Sequence, residues 1–398
     1  MNYEAAFSII RERRGTNAAK WQAYDPDVLP MWVADMDFPA PEEVMAALRE
    51  RVSHGIFGYP DNDPGLTQAI QQWLQRRYGW AVAEDAIILL PGVVPGFNLA
   101  AHLLEPPFDG VLIQTPVYPP FLHTAQNAGA RSIEMPLTHE KSGTWSVDLD
   151  RFQLALAEKP GMFLLCNPHN PVGRVFTRGE LQAMADLCLK AGTLIVSDEI
   201  HADLVYPGHR HIPIATLSPE IADITITLMA PSKTFNIAGL QCAFAVISNP
   251  ALRRRYRRAG MGLVSWVNLL GQTAARAAYE NGEAWLNALL VYLTRSRDLV
   301  VESVRGAMPE LRVAVPEGTY LAWIDCRAAG LEDKPAEFFL EHGRVAFNEG
   351  ATFGTGGEGF IRLNFGCPRA LLEDGLNRMK TALAARARGS GATKSARS

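Results

Sequence analysis

Five short, almost wholly apolar runs recur through the middle of the chain, and each ends in a polar or turn residue. They are AIILLP from Ala86, GVLIQTP from Gly110, GMFLLCNP from Gly161, GTLIVSDE from Gly192 and ITITLMAPSK from Ile224. Runs this short and this continuously apolar read as strands buried on both faces, not as one-sided strands. Between them lie longer amphipathic stretches, such as Arg178 to Ala191 with Leu181, Met184, Ala185 and Cys188 on one face. Strand–helix alternation of this kind predicts an α/β fold: a three-layer sandwich around a mainly parallel sheet. QCAFAVISNP, from Gln241, adds a sixth strand.

The pattern changes near Glu283. A long helical segment, Trp285 to Met308, leads to the alternating strands VAVPEGTYLAWIDC and GFIRLNFG, with a helical EFFLEHG between them. This predicts a large domain over 29–284 and a smaller α+β domain over 285–385. The N-terminal segment 1–28, with a helix from Tyr3 to Arg14, should pack on the small domain. The Gly-, Ser-, Lys- and Arg-rich stretch 386–398 reads as a disordered tail.

Charge and cysteines narrow the partners. Lys and Arg number 38 against 42 Asp and Glu, a formal net charge of −4, without the basic excess of a nucleic-acid binder. The cluster Arg253, Arg254, Arg255, Arg257 and Arg258 reads as a solvated helix face. Five scattered cysteines, never spaced as CxxC, fit buried thiols in a reducing cytoplasm better than disulfides or a zinc site. No secretory signal is evident, and no apolar run approaches the roughly 20 residues of a membrane helix.

Chemistry is concentrated at the C-terminal ends of the predicted strands, the edge at which open α/β sheets bind ligands. In MAPSKTFNIAG, Lys233 follows a strand beside Ser232, where desolvation would make its amine a nucleophile or base. In SDEIHADL, Asp198 leaves a buried strand and needs a cationic or hydrogen-bonding partner there; a helix N-cap is the alternative. His201 stands three residues on and could face the same cavity. PGVVPGF opens a helix over Val93 to Ala101, leaving backbone N–H groups free for a phosphate. In CNPHNPVGR, Asn170 lies among Asn-Pro turns.

In this order the elements resemble fold type I pyridoxal 5′-phosphate enzymes, the aspartate aminotransferase superfamily, from about Trp21 to Gly366. The resemblance implies that Lys233 holds the cofactor as a Schiff base, that Asp198 faces its pyridine nitrogen and that Asn170 contacts its ring hydroxyl. Tyr118 would stack on the ring, Gly92, Val93, Val94 and Ser232 would hold the phosphate, and His201 would lie beside the cofactor. Arg362 would take the substrate α-carboxylate. Tyr59 would reach the phosphate of a neighbouring subunit, which makes the active unit a homodimer. Trp32, Tyr118 and Trp266 are candidates for the substrate side-chain pocket, with core packing the alternative for Trp266.

Within the superfamily, KWQAYDPDVLPMWVADMDFPAPEEV (Lys20 to Val44), SDEIHADL and APSKTFNIAGLQ are most similar to the cystathionine β-lyase branch, the bacterial C–S lyases. Three departures from ordinary aminotransferases accompany this: His201 replaces a tyrosine, Gln241 a phosphate-binding arginine and Ala230 a serine. The expected reaction is β-elimination from L-cystathionine or a related S-conjugated cysteine. Its rivals are amino transfer on the same scaffold and a regulatory role through protein contact.

Overall fold

The computed structural model describes residues 3–395, with side chains through 388. Seven strands form the central sheet: β1 (Ile87–Leu90), β2 (Gly110–Ile113), β3 (Arg131–Glu134), β4 (Pro160–Cys166), β5 (Leu194–Asp198), β6 (Thr225–Met229) and β7 (Ala243–Val246). Their order across the sheet is β1-β7-β6-β5-β4-β2-β3. All pairings are parallel except those of β7, which runs antiparallel to both β1 and β6. Every residue of β2, β4, β6 and β7 is buried, as expected of strands covered on both faces.

Helices lie on both faces of this sheet. The Arg178–Ala191 helix buries Leu181, Met184, Ala185 and Cys188, and Thr177 with Glu180 closes its N-terminus in a reciprocal capping box. On the other face, the Val93–Ala101 helix sits close because it carries Gly96. A Cβ there would stand 2.9 Å from Leu228 Cδ2 and 3.0 Å from Leu90 Cδ1, so the small residue brings the helix down onto β1 and β6.

A second sheet has four antiparallel strands: β8 (Arg312–Val313), β9 (Leu321–Asp325), β10 (Asn348–Glu349) and β11 (Phe360–Asn364), ordered β8-β9-β11-β10. The Glu283–Ala307 helix leads into it. The first helix, Tyr3–Ser8, packs on that long helix through Phe7, whose ring meets Trp285, Tyr292 and Phe38. Leu29–Pro30 then pairs in parallel with Val345–Ala346.

Three expectations change. The N-terminal helix ends at Ser8 instead of Arg14, because Arg13 and Arg14 turn away to bind the segment that follows. Arg14 donates to the carbonyls of Trp21 and Val28 at 2.8 and 3.0 Å. Arg253 is buried and paired with Asp85, so the basic cluster is not wholly a solvated face. The final helix runs Arg369–Ser395, into the stretch expected to be disordered. Positions 396–398 lie outside the described residues. Among the described residues no helix is long and apolar enough to cross a membrane, and the five cysteines are all buried and unpaired.

Candidate active site

Strands β4, β5 and β6 end side by side, and the loops leaving them open onto one cavity of about 580 Å³. Lys233, Asp198, Asn170, Tyr118, His201 and Ser232 all line it. Gly92, Val93 and Val94 form one end of it, while Arg362 and Trp32 reach it from the second sheet and the N-terminal segment. Eleven of the thirteen candidate residues therefore meet in one space.

Asp198 is the last residue of β5 and is only 3% exposed. Its Oδ1 accepts from the Ile200 N–H at 3.1 Å, and no cation pairs with it among the described residues. Burial pushes its carboxyl up to about 7 against the pull of that N–H and of Lys233. The proposed N-cap role does not apply, because a turn and not a helix follows.

Lys233 projects from the short Pro231–Thr234 helix after β6, and its Nζ donates to the Ala34 carbonyl at 2.6 Å. Burial lowers its amine to about 8, with the nearby Arg362 acting in the same direction and Asp35 and Asp198 opposing. His201 is held neutral, its value lowered to about 3 by burial and by the adjacent Lys233 and Arg362. Its Nδ1 has no partner, and its ring meets that of Tyr320 edge-on at 6.0 Å.

Arg362 is in the middle of β11, 4% exposed and without a carboxylate partner among the described residues. Its guanidinium donates to Asn170 Oδ1 at 2.9 Å, Asn348 Oδ1 at 2.7 Å and the Trp32 carbonyl at 2.9 Å, over the Phe353 ring at 4.9 Å. Nε is buried and unpartnered. Burial lowers Arg362 to about 10, and it stays cationic at neutral pH. A cation held by neutral acceptors alone is a receptor for an incoming carboxylate.

At the other end of the cavity, Gly92 caps the Val93–Ala101 helix with no side chain bonded to its first turn. Those N–H groups and the helix dipole suit a phosphate. The cavity thus offers an anion cradle, a buried carboxyl lacking a cation and an amine of lowered basicity. These fit the phosphate, the protonated ring nitrogen and the aldehyde carbon of pyridoxal phosphate. Tyr118, half-buried beside Asp198, supplies a flat wall.

Two candidate aromatics lie outside the cavity. Tyr59 is 90% exposed and lies outside its own chain's cavity. Trp266 is 70% exposed, so it neither packs in the core nor lines the site, and its ring meets Tyr59 at 5.3 Å. Asn348, Phe353 and the Ala34 carbonyl are site groups that sequence reasoning did not single out. Nothing in their local sequence marks them: Asn348 and Phe353 serve the site only by meeting Arg362, and Ala34 only by accepting from Lys233.

Fold and site together define a member of a large enzyme family: the chain belongs to the aminotransferase class I and II family, whose model matches residues 26–379. Among curated relatives it is 41% identical over 388 residues to cystathionine beta-lyase PatB of Bacillus subtilis (strain 168), covering 95% of this chain and 99% of that one. It is 25% identical over 365 residues to an aspartate aminotransferase of Pyrococcus horikoshii, with 90% and 91% covered. Its fold matches the crystal structure of cystalysin from Treponema denticola, which contains pyridoxal 5′-phosphate, at a TM-score of 0.91 and 33% identity over 95% of this chain and 98% of that one.

Proposed function

We propose that the protein is a pyridoxal phosphate-dependent carbon–sulfur lyase. It would cleave L-cystathionine or a related S-conjugated cysteine by β-elimination to a thiol, pyruvate and ammonia. The observation that carries the reading is the meeting of Lys233, Asp198 and Arg362 in one cavity, none of them joined in an ion pair. The branch is supported by the near full-length likeness to a cystathionine beta-lyase, against a weaker one to an aspartate aminotransferase.

In this reading Lys233 holds the cofactor, with the Gly92–Val94 turn and Ser232 around its phosphate and Tyr118 against its ring. Asp198 keeps the ring nitrogen protonated, and that positive charge relieves a carboxyl otherwise strained by burial. Bound there, the cofactor is an electron sink for the charge left at the substrate Cα. Arg362 takes the substrate carboxylate in a bidentate fork and so orients the Cα–H bond. The Lys233 amine, lowered to about 8, remains basic enough to accept that proton, and its unprotonated form is far more populated near neutral pH than that of an exposed lysine. Loss of the proton from Cα lets the Cβ–S bond break; the sulfur leaves as thiol and the enamine hydrolyses to pyruvate and ammonia.

The exposed pair Tyr59 and Trp266 supports a homodimer in which Tyr59 reaches the neighbouring chain's phosphate. Buried, unpaired cysteines support a cytoplasmic setting.

The test is to give purified, cofactor-loaded protein L-cystathionine and follow pyruvate, free thiol and the cofactor spectrum together. Equal pyruvate and thiol over many turnovers, abolished in Lys233→Ala, is expected. No pyruvate, with conversion of the cofactor to its amine form until an oxo acid is added, makes the protein an aminotransferase instead. Binding without either reaction favours the regulatory role.

A further inference from the structure

Lys233 and Arg362 share one support. The segment Trp32–Phe38 lines the cavity through Trp32, Val33 and Ala34, bends at Val33–Ala34 and at Asp37–Phe38, and presents its carbonyls to two sets of partners. Trp32 O accepts from Arg362 at 2.9 Å, and Ala34 O accepts from Lys233 at 2.6 Å and from the Tyr320 hydroxyl at 2.8 Å. The intervening carbonyls, of Val33 and Asp35, both accept from Asn364 Nδ2 at 2.6 Å. The carbonyls at 32 and 34 thus serve the two cations and those at 33 and 35 serve Asn364, so a slip of one residue would exchange the two sets and leave both reactive cations without their acceptors.

What holds the register lies just beyond. Asp37, 6% exposed, accepts from Arg13 at 2.6 Å, Lys20 at 2.6 Å and Trp21 Nε1 at 2.8 Å, while its own N–H donates to Gly366 O at 2.9 Å. Arg13 also forks onto Asp35 at 3.2 and 2.8 Å. Asn236 then clips the end of the segment, accepting from Met36 N–H and donating to the carbonyls of Met36 and Phe38. Burial would push the Asp37 carboxyl up, but Lys20 and Arg13 more than reverse this and hold it below the usual carboxylate range. The result is a charged anchor placed immediately after the two working carbonyls.

We propose that Asp37 is a positioning residue for the reaction: anchored by Arg13, Lys20 and Trp21, it sets the register in which Trp32 O steadies Arg362 and Ala34 O steadies Lys233. The N-terminal segment thereby fixes the spacing between the carboxylate receptor and the base, which decides where the substrate Cα–H lies relative to the amine. The inference rests on the amino-acid reading of the site, but not on whether a C–S bond breaks.

The experiment compares wild type with Asp37→Asn and Tyr320→Phe, scored per folded, cofactor-loaded site at a temperature well below melting. Two probes avoid the cleavage step. 2-Methylalanine has no Cα hydrogen, so the cofactor absorbance reports its binding alone. L-Alanine has no β leaving group, so exchange of its Cα–H in D₂O, followed by NMR, reports proton removal. For Asp37→Asn, exchange should slow on the order of tenfold to a hundredfold, and 2-methylalanine should bind about tenfold more weakly. Tyr320→Phe removes a hydroxyl from Ala34 O and no charge, and should slow exchange at least about threefold. A purely structural role lowers the melting temperature but leaves both readouts at wild-type values in the loaded sites, and that result overturns the proposal. If Asp37→Asn does not fold, wild-type exchange in Tyr320→Phe overturns it alone. Absence of exchange in the wild type points to failure of the amino-acid reading itself, and L-alanine exchange with no pyruvate formed from L-cystathionine to failure of the lyase reading only.

Discussion

Asp198 shows how a single residue's environment encodes a missing partner. Its position at the end of a buried strand was legible in LIVSD, and so was its need for a cation, since a carboxylate is costly to bury alone. What the sequence could not show is that, among the described residues, no side chain meets that need. The sign of the consequence follows from linkage. The folded carboxyl is raised from 3.8 to about 7, so between those pH values the folded state binds more protons than the unfolded one. Stability contributed by Asp198 therefore falls as pH rises through that window, by roughly 4 kcal/mol in all. Cofactor-free Asp198→Asn has no such term. Urea titrations at pH 4.5 and pH 8 should show the variant gaining on wild type by a few kcal/mol at the higher pH. A stability difference that does not change with pH would falsify this account of the carboxyl.

At the scale of elements, the buried strands and the Val93–Ala101 helix were legible because continuous apolar runs and a Pro-Gly turn are local signals. Strand direction was not: QCAFAVISNP reads as a strand, yet nothing in it says that β7 runs against both neighbours. The segment Trp32–Phe38 was legible only as a likeness, since the charges that anchor Asp37 come from residues 17 and 24 positions earlier in the chain. Gly96 was passed over in PGVVPGF, although it decides how closely the helix approaches the sheet. Its contacts are the ends of flexible leucine side chains, so Gly96→Ala should cost little. Gly96→Leu must push the Val93–Ala101 helix outward, at about 1–3 kcal/mol of overpacking, and carries the Gly92–Val94 turn with it. Cofactor affinity, read from absorbance during titration with pyridoxal phosphate, should fall at least about tenfold in Gly96→Leu and stay near wild type in Gly96→Ala. Unchanged affinity in Gly96→Leu would mean that the turn is not coupled to helix height.

For the whole molecule the open question is whether one chain makes a complete site. Tyr59, 90% exposed, reaches nothing in its own cavity, whereas a residue donated to a neighbour must be exposed in the isolated chain. A two-fold dimer exchanges such residues symmetrically, so in the proposed dimer each site would combine Lys233 of one chain with Tyr59 of the other. That geometry can be tested by complementation. Tyr59→Ala and Lys233→Ala proteins, each impaired alone, are unfolded together and refolded with pyridoxal phosphate at equal amounts. About half of the dimers formed are then hybrids, and each hybrid has one site with both residues intact and one with neither. Pyruvate formation from L-cystathionine should recover to about a quarter of the wild-type rate per chain, in a species whose light-scattering mass is that of two chains. If Tyr59 instead serves its own chain, every hybrid site lacks one of the two residues and mixing restores nothing. The recovered fraction, and not the dimer mass alone, therefore decides whether the active site is shared.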